Sequence, residues 1–189
     1  INIFFDELNI SFTSGKSFKR NAVLIRDLIA ACGKLNSLFS EKGLPIYIFT
    51  ALRSEVVDSV EGSVRELQKW VDDKAVHISW VSANGSHDSQ PLINLLKKRI
   101  LASARHHELG PKNIDDVNLD NYFSSRIHGH RNTSFLIYET WGRPRDLVRM
   151  LSLAKKYTHS TGLFTDKAFD DSLIEYSKAC WVEKSDELN

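Results

Sequence analysis

Ile1-Asn2-Ile3-Phe4-Phe5-Asp6-Glu7 opens the chain as an apolar strand that ends in two adjacent carboxylates. The order of elements after this strand decides the fold, because the meaning of those carboxylates depends on the sheet they leave. In an open parallel sheet, ligands bind beyond the carboxyl ends of the strands, which is where Asp6 and Glu7 emerge. A cation-assisted hydrolytic site needs one carboxylate to hold Mg²⁺, usually through water, and a second to orient and deprotonate the attacking water. Asp6 suits the first role and Glu7 the second. The same string also fits an ordinary strand followed by the start of a helix.

Downstream of the strand, the polar stretch Asn9 to Arg20 is expected to be a loop. From Asn21 to Ser40, the residues Leu24, Leu28, Ala31, Cys32, Leu35, Leu38 and Phe39 recur at helical spacing. Gly43-Leu44-Pro45 ends that helix and launches Ile46–Leu52, a nearly continuous apolar run of the kind found in buried central strands. Ser54 onward reads as helical, roughly to Trp70. Val76-His77-Ile78-Ser79-Trp80 is a shorter strand candidate. Pro91 then begins a helix at its first turn, where the missing amide costs nothing. This β-α-β-α-β-α order predicts a parallel sheet with crossover helices. From about His106 the character changes. Val117–Ile127, Thr133–Glu139, Pro144–Tyr157 and Asp166–Val182 all read as helices, with no strand among them. The expected organisation is an α/β domain over residues 1–108 and a small all-helical domain over 109–189, joined in the polar stretch His106–Asn113.

Composition narrows the classes. With 42% apolar residues and ten Phe, the chain can bury a substantial core, unlike a disordered segment. A formal net charge of +1 gives no global push towards nucleic acid or membrane. Lys97-Lys98-Arg99 and Arg126–Arg131 are nevertheless locally basic. Cys32 and Cys180 are far apart in apolar helical patterns, so they read as buried thiols of a reducing, cytoplasmic compartment. No apolar run approaches transmembrane length. A chain that begins inside a strand, with no signal peptide, resembles an excised piece more than a native N-terminus.

Several strings carry or mimic chemistry. Gly15-Lys16-Ser17 invites a phosphate-loop reading, but the pattern G-x-x-x-x-G-K-[ST] needs a glycine where Ile10 stands. Lys16 therefore reads as a solvated loop lysine. Thr50 and Arg53 end the apolar strand expected beside the Asp6 strand, where a hydroxyl or cation can face charge developing on a phosphoryl group. A hydroxyl bonded to a carbonyl and a surface cap explain them equally well. In Gly142-Arg143-Pro144-Arg145-Asp146-Leu147, Pro144 starts a helix and Arg145 projects from its first turn. Arg145 can reach across to a nucleotide bound on the α/β domain, or form an Arg-Asp surface pair that closes the joint between the domains. The seven histidines show no zinc spacing, and no G-x-S-x-G elbow or Ser/His/Asp order occurs. Trp70, Trp80, Trp141 and Trp181 read as core or domain-joint aromatics, since large rings mainly serve packing.

Together these motifs resemble a bacterial family of P-loop ATPases related to AAA+ and STAND ATPases. The opening IFFDELN is similar to the Walker B strand. FSEKGLPIYIF, Leu52-Arg53-Ser54-Glu55, VHISW, LINLLKKRI and Thr140–Leu147 match further elements, over Ile1 to about Ser177. The resemblance implies the second half of a P-loop core, with a parallel sheet and a helical lid. It makes Asp6 the Mg²⁺-side aspartate and Glu7 the catalytic glutamate. Thr50 or Arg53 stands in the sensor 1 region, and Arg145 is the sensor 2 arginine. ATP and Mg²⁺ are the implied cofactors, although the Walker A loop has no match in this sequence. Related ATPases act as switches or motors, several in phage defence, which implies a protein partner or fused effector and possible homo-oligomers. The alternatives are a non-hydrolysing interaction scaffold and a nucleic-acid-binding module served by the basic strings.

Overall fold

The structure is a computed structural model that describes residues 1–6, 15–53, 56–57, 71–104, 110–158 and 162–188. It forms two compact units, Ile1–His77 with Leu188–Asn189, and Ile78–Glu187. The chain is mixed α/β, with a small parallel sheet in the first unit and a helical second unit. The division falls at residues 77 and 78, whereas the sequence places it after residue 108. The helix begun by Pro91 therefore joins the helical half.

In the first unit, β1 (Asn2–Phe5) pairs in parallel with β2 (Tyr47–Thr50), from Asn2↔Tyr47 to Phe5↔Thr50. The crossover is α1 (Gly15–Glu41), which starts well inside the stretch expected to be a loop. The cause is a second apolar row: Phe18, Ala22, Ile25 and Ile29 follow helical spacing and pack with Val56. The row expected from sequence is right at Cys32, which is buried, and wrong at Leu24, Leu35 and Leu38, which are exposed while Ile25, outside that row, is buried. Gly43 ends α1 as foreseen. With φ +65 it takes the left-handed conformation; its amide donates to Ser40 O and that of Leu44 donates to Phe39 O, the two bonds of a Schellman motif.

The expectation of a buried central β2 is not met. Ile48 and Thr50 are half-buried, but Phe4 and Phe49 stack at 5.0 Å on a face where they stay 70% and 47% exposed. The amides of Tyr47 and Ala51 donate to β1, to Ile1 O and Phe5 O, so Ile48 points its N–H and C=O to the other edge. There the Asn36 side chain from α1 takes both, donating to Ile48 O and accepting from Ile48 N at 2.8 Å each. Residues 76–80 form no strand pairing among the described residues, and Val76 and Ile78 are exposed. Among the described residues the sheet has two strands, where the sequence suggested three. Of the helix expected from Ser54 to Trp70, most lies outside the described residues.

The second unit contains α2 (Pro91–Ala104), a hairpin of β3 (Arg126–Ile127) and β4 (His130–Arg131), α3 (Asn132–Glu139), α4 (Pro144–Ala154) and α5 (Asp166–Leu188). Its core includes Leu92, Ile93, Phe123, Ile127, Leu136 and Leu147, all essentially sealed from solvent. The region 117–127 is not a helix, contrary to the expectation. Asn118 accepts from the Asp120 amide to cap a 3-10 turn, Leu119–Asn121. Side chains of this type compete with helical bonding. Beyond the turn, Phe123 bridges to Phe164. His128 (φ 48) and Gly129 (φ 78) then make the two-residue turn of a hairpin that the helical reading missed. At the start of the unit, the buried Gln90 side chain holds Ser82 through its amide and carbonyl and also donates to Gly85 O. No helix among the described residues is long and apolar enough to cross a membrane.

Candidate functional site

The register of the parallel pair decides what shares an edge. Phe5 lies opposite Thr50, and the Ala51 amide donates to Phe5 O at 2.9 Å. Asp6, the residue after β1, and Thr50, the last of β2, therefore end at the same carboxyl edge, with Arg53 three residues farther on. Asp6 and Arg53 are exposed and Thr50 is half-buried. The Arg53 carbonyl accepts from the Val56 and Val57 amides at 3.0 and 3.1 Å, opening a helical turn whose Val56 side chain is buried. The apolar anchor fixes the backbone and leaves the guanidinium outside. Glu7 lies outside the described residues.

Among the described residues, this edge offers the Asp6 carboxylate, the Thr50 hydroxyl and, three residues farther on, the Arg53 guanidinium. Mg²⁺ bound with a nucleotide commonly takes one or two protein carboxylates, with phosphate and water completing its shell, so Asp6 fits the cation. The same residues do not form a phosphate cradle. Gly15-Lys16-Ser17, the nearest approach to one in sequence, lies in the first turn of α1. Among the described residues, no cluster of three or more His, Cys, Asp or Glu side chains is arranged to hold a metal.

Arg145 belongs to the second unit. It sits in the first turn of α4, as Pro144 at the helix start foretold, but its guanidinium is engaged. Arg145 Nη1 donates to Glu183 Oε1 at 2.7 Å, and Arg149 Nη2 donates to Glu183 Oε2 at 2.5 Å. Arg149 also reaches Asp146 at 3.2 Å. The hydrogen bond from Arg149 holds the Glu183 carboxyl below the usual carboxylate range; burial opposes this, and Arg145 reinforces it. The Arg149 guanidinium is raised in turn, chiefly by its bond to Glu183. This α4–α5 clamp was not legible from sequence, because nothing near Arg145 marks a partner on another helix.

The residues around Gly142 shape the turn between α3 and α4. Gly142 is buried at φ +67, and its amide donates to Ile137 O to close α3. Thr140, also buried, donates to Leu136 O at 2.6 Å. Trp141 has φ 51 and is exposed rather than packed. Trp80 and Trp181 are exposed as well, so none of the three is a core residue.

The basic strings separate into two kinds. Arg126 donates to Gly129 O within the hairpin, and Arg131 pairs with Asp88 at 2.7 Å. Lys98 and Arg99 are exposed on α2, and Lys97 is half-buried. Cys32 is a buried thiol whose pKa is raised by desolvation, whereas Cys180 is half-buried beside Arg149.

No curated protein and no solved structure matches the chain. A family match falls on the helical half. It includes Arg145 and leaves Asp6, Thr50 and Arg53 outside. Residues 90–182 match the model of the FunZ-associated C-terminal helical domain.

Proposed function

We propose that this chain belongs to an ATP-dependent switch, with the hydrolytic edge in its first unit and a nucleotide-responsive lid in its helical unit. One observation carries the reading: the Phe5↔Thr50 register ends Asp6 and Thr50 at the same carboxyl edge of a parallel pair, with Arg53 three residues farther along the chain. ATP supplies the phosphoanhydride whose cleavage drives the switch. Asp6 holds the cation side, Glu7 accepts a proton from water, and Thr50 and Arg53 meet developing negative charge. Arg145 is the lid residue that reads the nucleotide, and to do so it leaves Glu183. That pair is surface-exposed on the arginine side, 73%, and such a pair is worth about 1 kcal/mol or less, so release is cheap. The reading requires a phosphate loop from outside residues 1–189. It also implies cytoplasmic action on a protein partner or fused effector.

The test is Mg²⁺-dependent ATP turnover by the full-length protein. Asp6→Asn is expected to lower turnover by about 100-fold, the scale of losing one charge-stabilising group. Glu7→Gln should keep ATP binding and lose turnover. Wild-type turnover in both variants sinks the assignment.

A second reading, a non-hydrolysing interaction scaffold, draws support from the Arg145–Glu183 bond and from Asn36 on the β2 edge. It predicts a full-length protein with no ATP turnover whose partner binding is indifferent to Asp6→Asn.

A further inference from the structure

The helical unit has an open groove of about 510 Å³ between α2 and α4. Leu95 and Ile100 from α2, and Val148 and Leu151 from α4, line it, and all four remain half-buried although the unit has a filled core elsewhere. Arg99 and Lys155 line it too, both exposed, and among the described residues no acidic side chain does. Neither cation has an acidic partner among the described residues. The α2 wall runs from Leu95 to Ala104, about 13 Å at 1.5 Å per residue, or some two and a half helical turns.

These features narrow the occupant. The two long walls are helices whose backbone groups bond internally, and Phe164, which lines the groove with Tyr122, already has its backbone N–H and C=O paired, with Tyr122 O and the Ser124 amide, so the described residues offer no edge for an added strand. It is concave and apolar along its length, which does not suit a nucleic-acid backbone. A helix with one apolar ridge fits such a groove, and the charges around it set the sign of its flanks.

We propose that the α2–α4 groove receives an acidic amphipathic helix of a partner protein. Apolar side chains at helical spacing fill the space between Leu95, Ile100, Val148 and Leu151, and flanking carboxylates meet Arg99 and Lys155. The site lies wholly within the second unit and does not depend on nucleotide.

Fluorescence anisotropy with designed peptides tests it on the whole chain. The probe is a labelled peptide of roughly four helical turns, with Leu along one face and Glu beside it. A second carries Lys in place of Glu, and a third scrambles the first. At low salt the acidic peptide should bind about tenfold or more tightly than the basic or the scrambled one. Arg99→Glu combined with Lys155→Glu, at exposed positions, should reverse the charge preference. Val148→Asp, checked for folding by circular dichroism, should weaken both charged peptides. Absence of binding, equal binding of the three peptides, or an unchanged preference in the double variant overturns the proposal. So does concentration-dependent dimerisation that Val148→Asp abolishes, which assigns the groove to a second copy of the chain.

Discussion

At Gly142 a single hydrogen separates a relaxed turn from a clash. A Cβ there would stand 2.5 Å from Val81 Cγ2, on a backbone already at φ +67. Val is stiff at χ1, so the neighbour yields little. Gly142→Ala is expected to cost about 2 to 3 kcal/mol, left-handed strain plus overpacking, read as a lowered midpoint in denaturant. Gly129→Ala makes the control. Its φ is +78 but nothing lies within 4 Å, so only the strain remains, about 1 kcal/mol. Equal losses at the two sites would refute the steric account. Glu183 supplies a second prediction. Its folded pKa is lowered, so its stabilisation is present above the unfolded value and is lost as pH falls through the folded one. Glu183→Gln should destabilise the protein at neutral pH by about 1 to 2 kcal/mol. The gap from wild type should close on acidification below about pH 4. A gap independent of pH would place the effect in packing rather than charge.

Elements were legible where the signal was local. Gly43 marked the end of α1 and Pro144 the start of α4, because each residue's own backbone chemistry sets the boundary. The shared edge of Asp6 and Thr50 was also legible, since each closes an apolar run whose end can be read directly. What failed depended on distant partners. The beginning of α1 is set by Phe18 packing towards Val56, and periodicity counted from Asn21 could not register it. Phe18→Ser should fray the helix over Gly15–Arg20 and raise amide exchange there, with protection nearer Cys32 preserved. Uniform loss along α1 would mean that Phe18 holds the whole helix instead. Residues 117–127 carry enough apolar side chains for a helix, yet Asn118 and the Phe164 bridge divert the backbone.

For the whole molecule, the two units differ in what they have buried. Residues 78–187 contain a continuous core and the whole of the family match, whereas the β1–β2 pair leaves Phe4 and Phe49 largely open. Hydrogen exchange should accordingly be slowest around Leu92, Leu136 and Leu147 and faster in β1 and β2. Residues 78–187 expressed alone should be helical and melt cooperatively. A gradual, non-cooperative melt would show that these residues do not fold as an independent unit.

Asn36 gives the first unit a further property. By occupying both Ile48 backbone groups, it stands where the next chain in a growing β-stack would dock, and it acts as a guard against self-templating. Asn36→Ala strips that guard from Ile48, which Tyr47 and Phe49 flank within β2, so the variant should assemble through β2 at concentrations where the wild type stays dispersed.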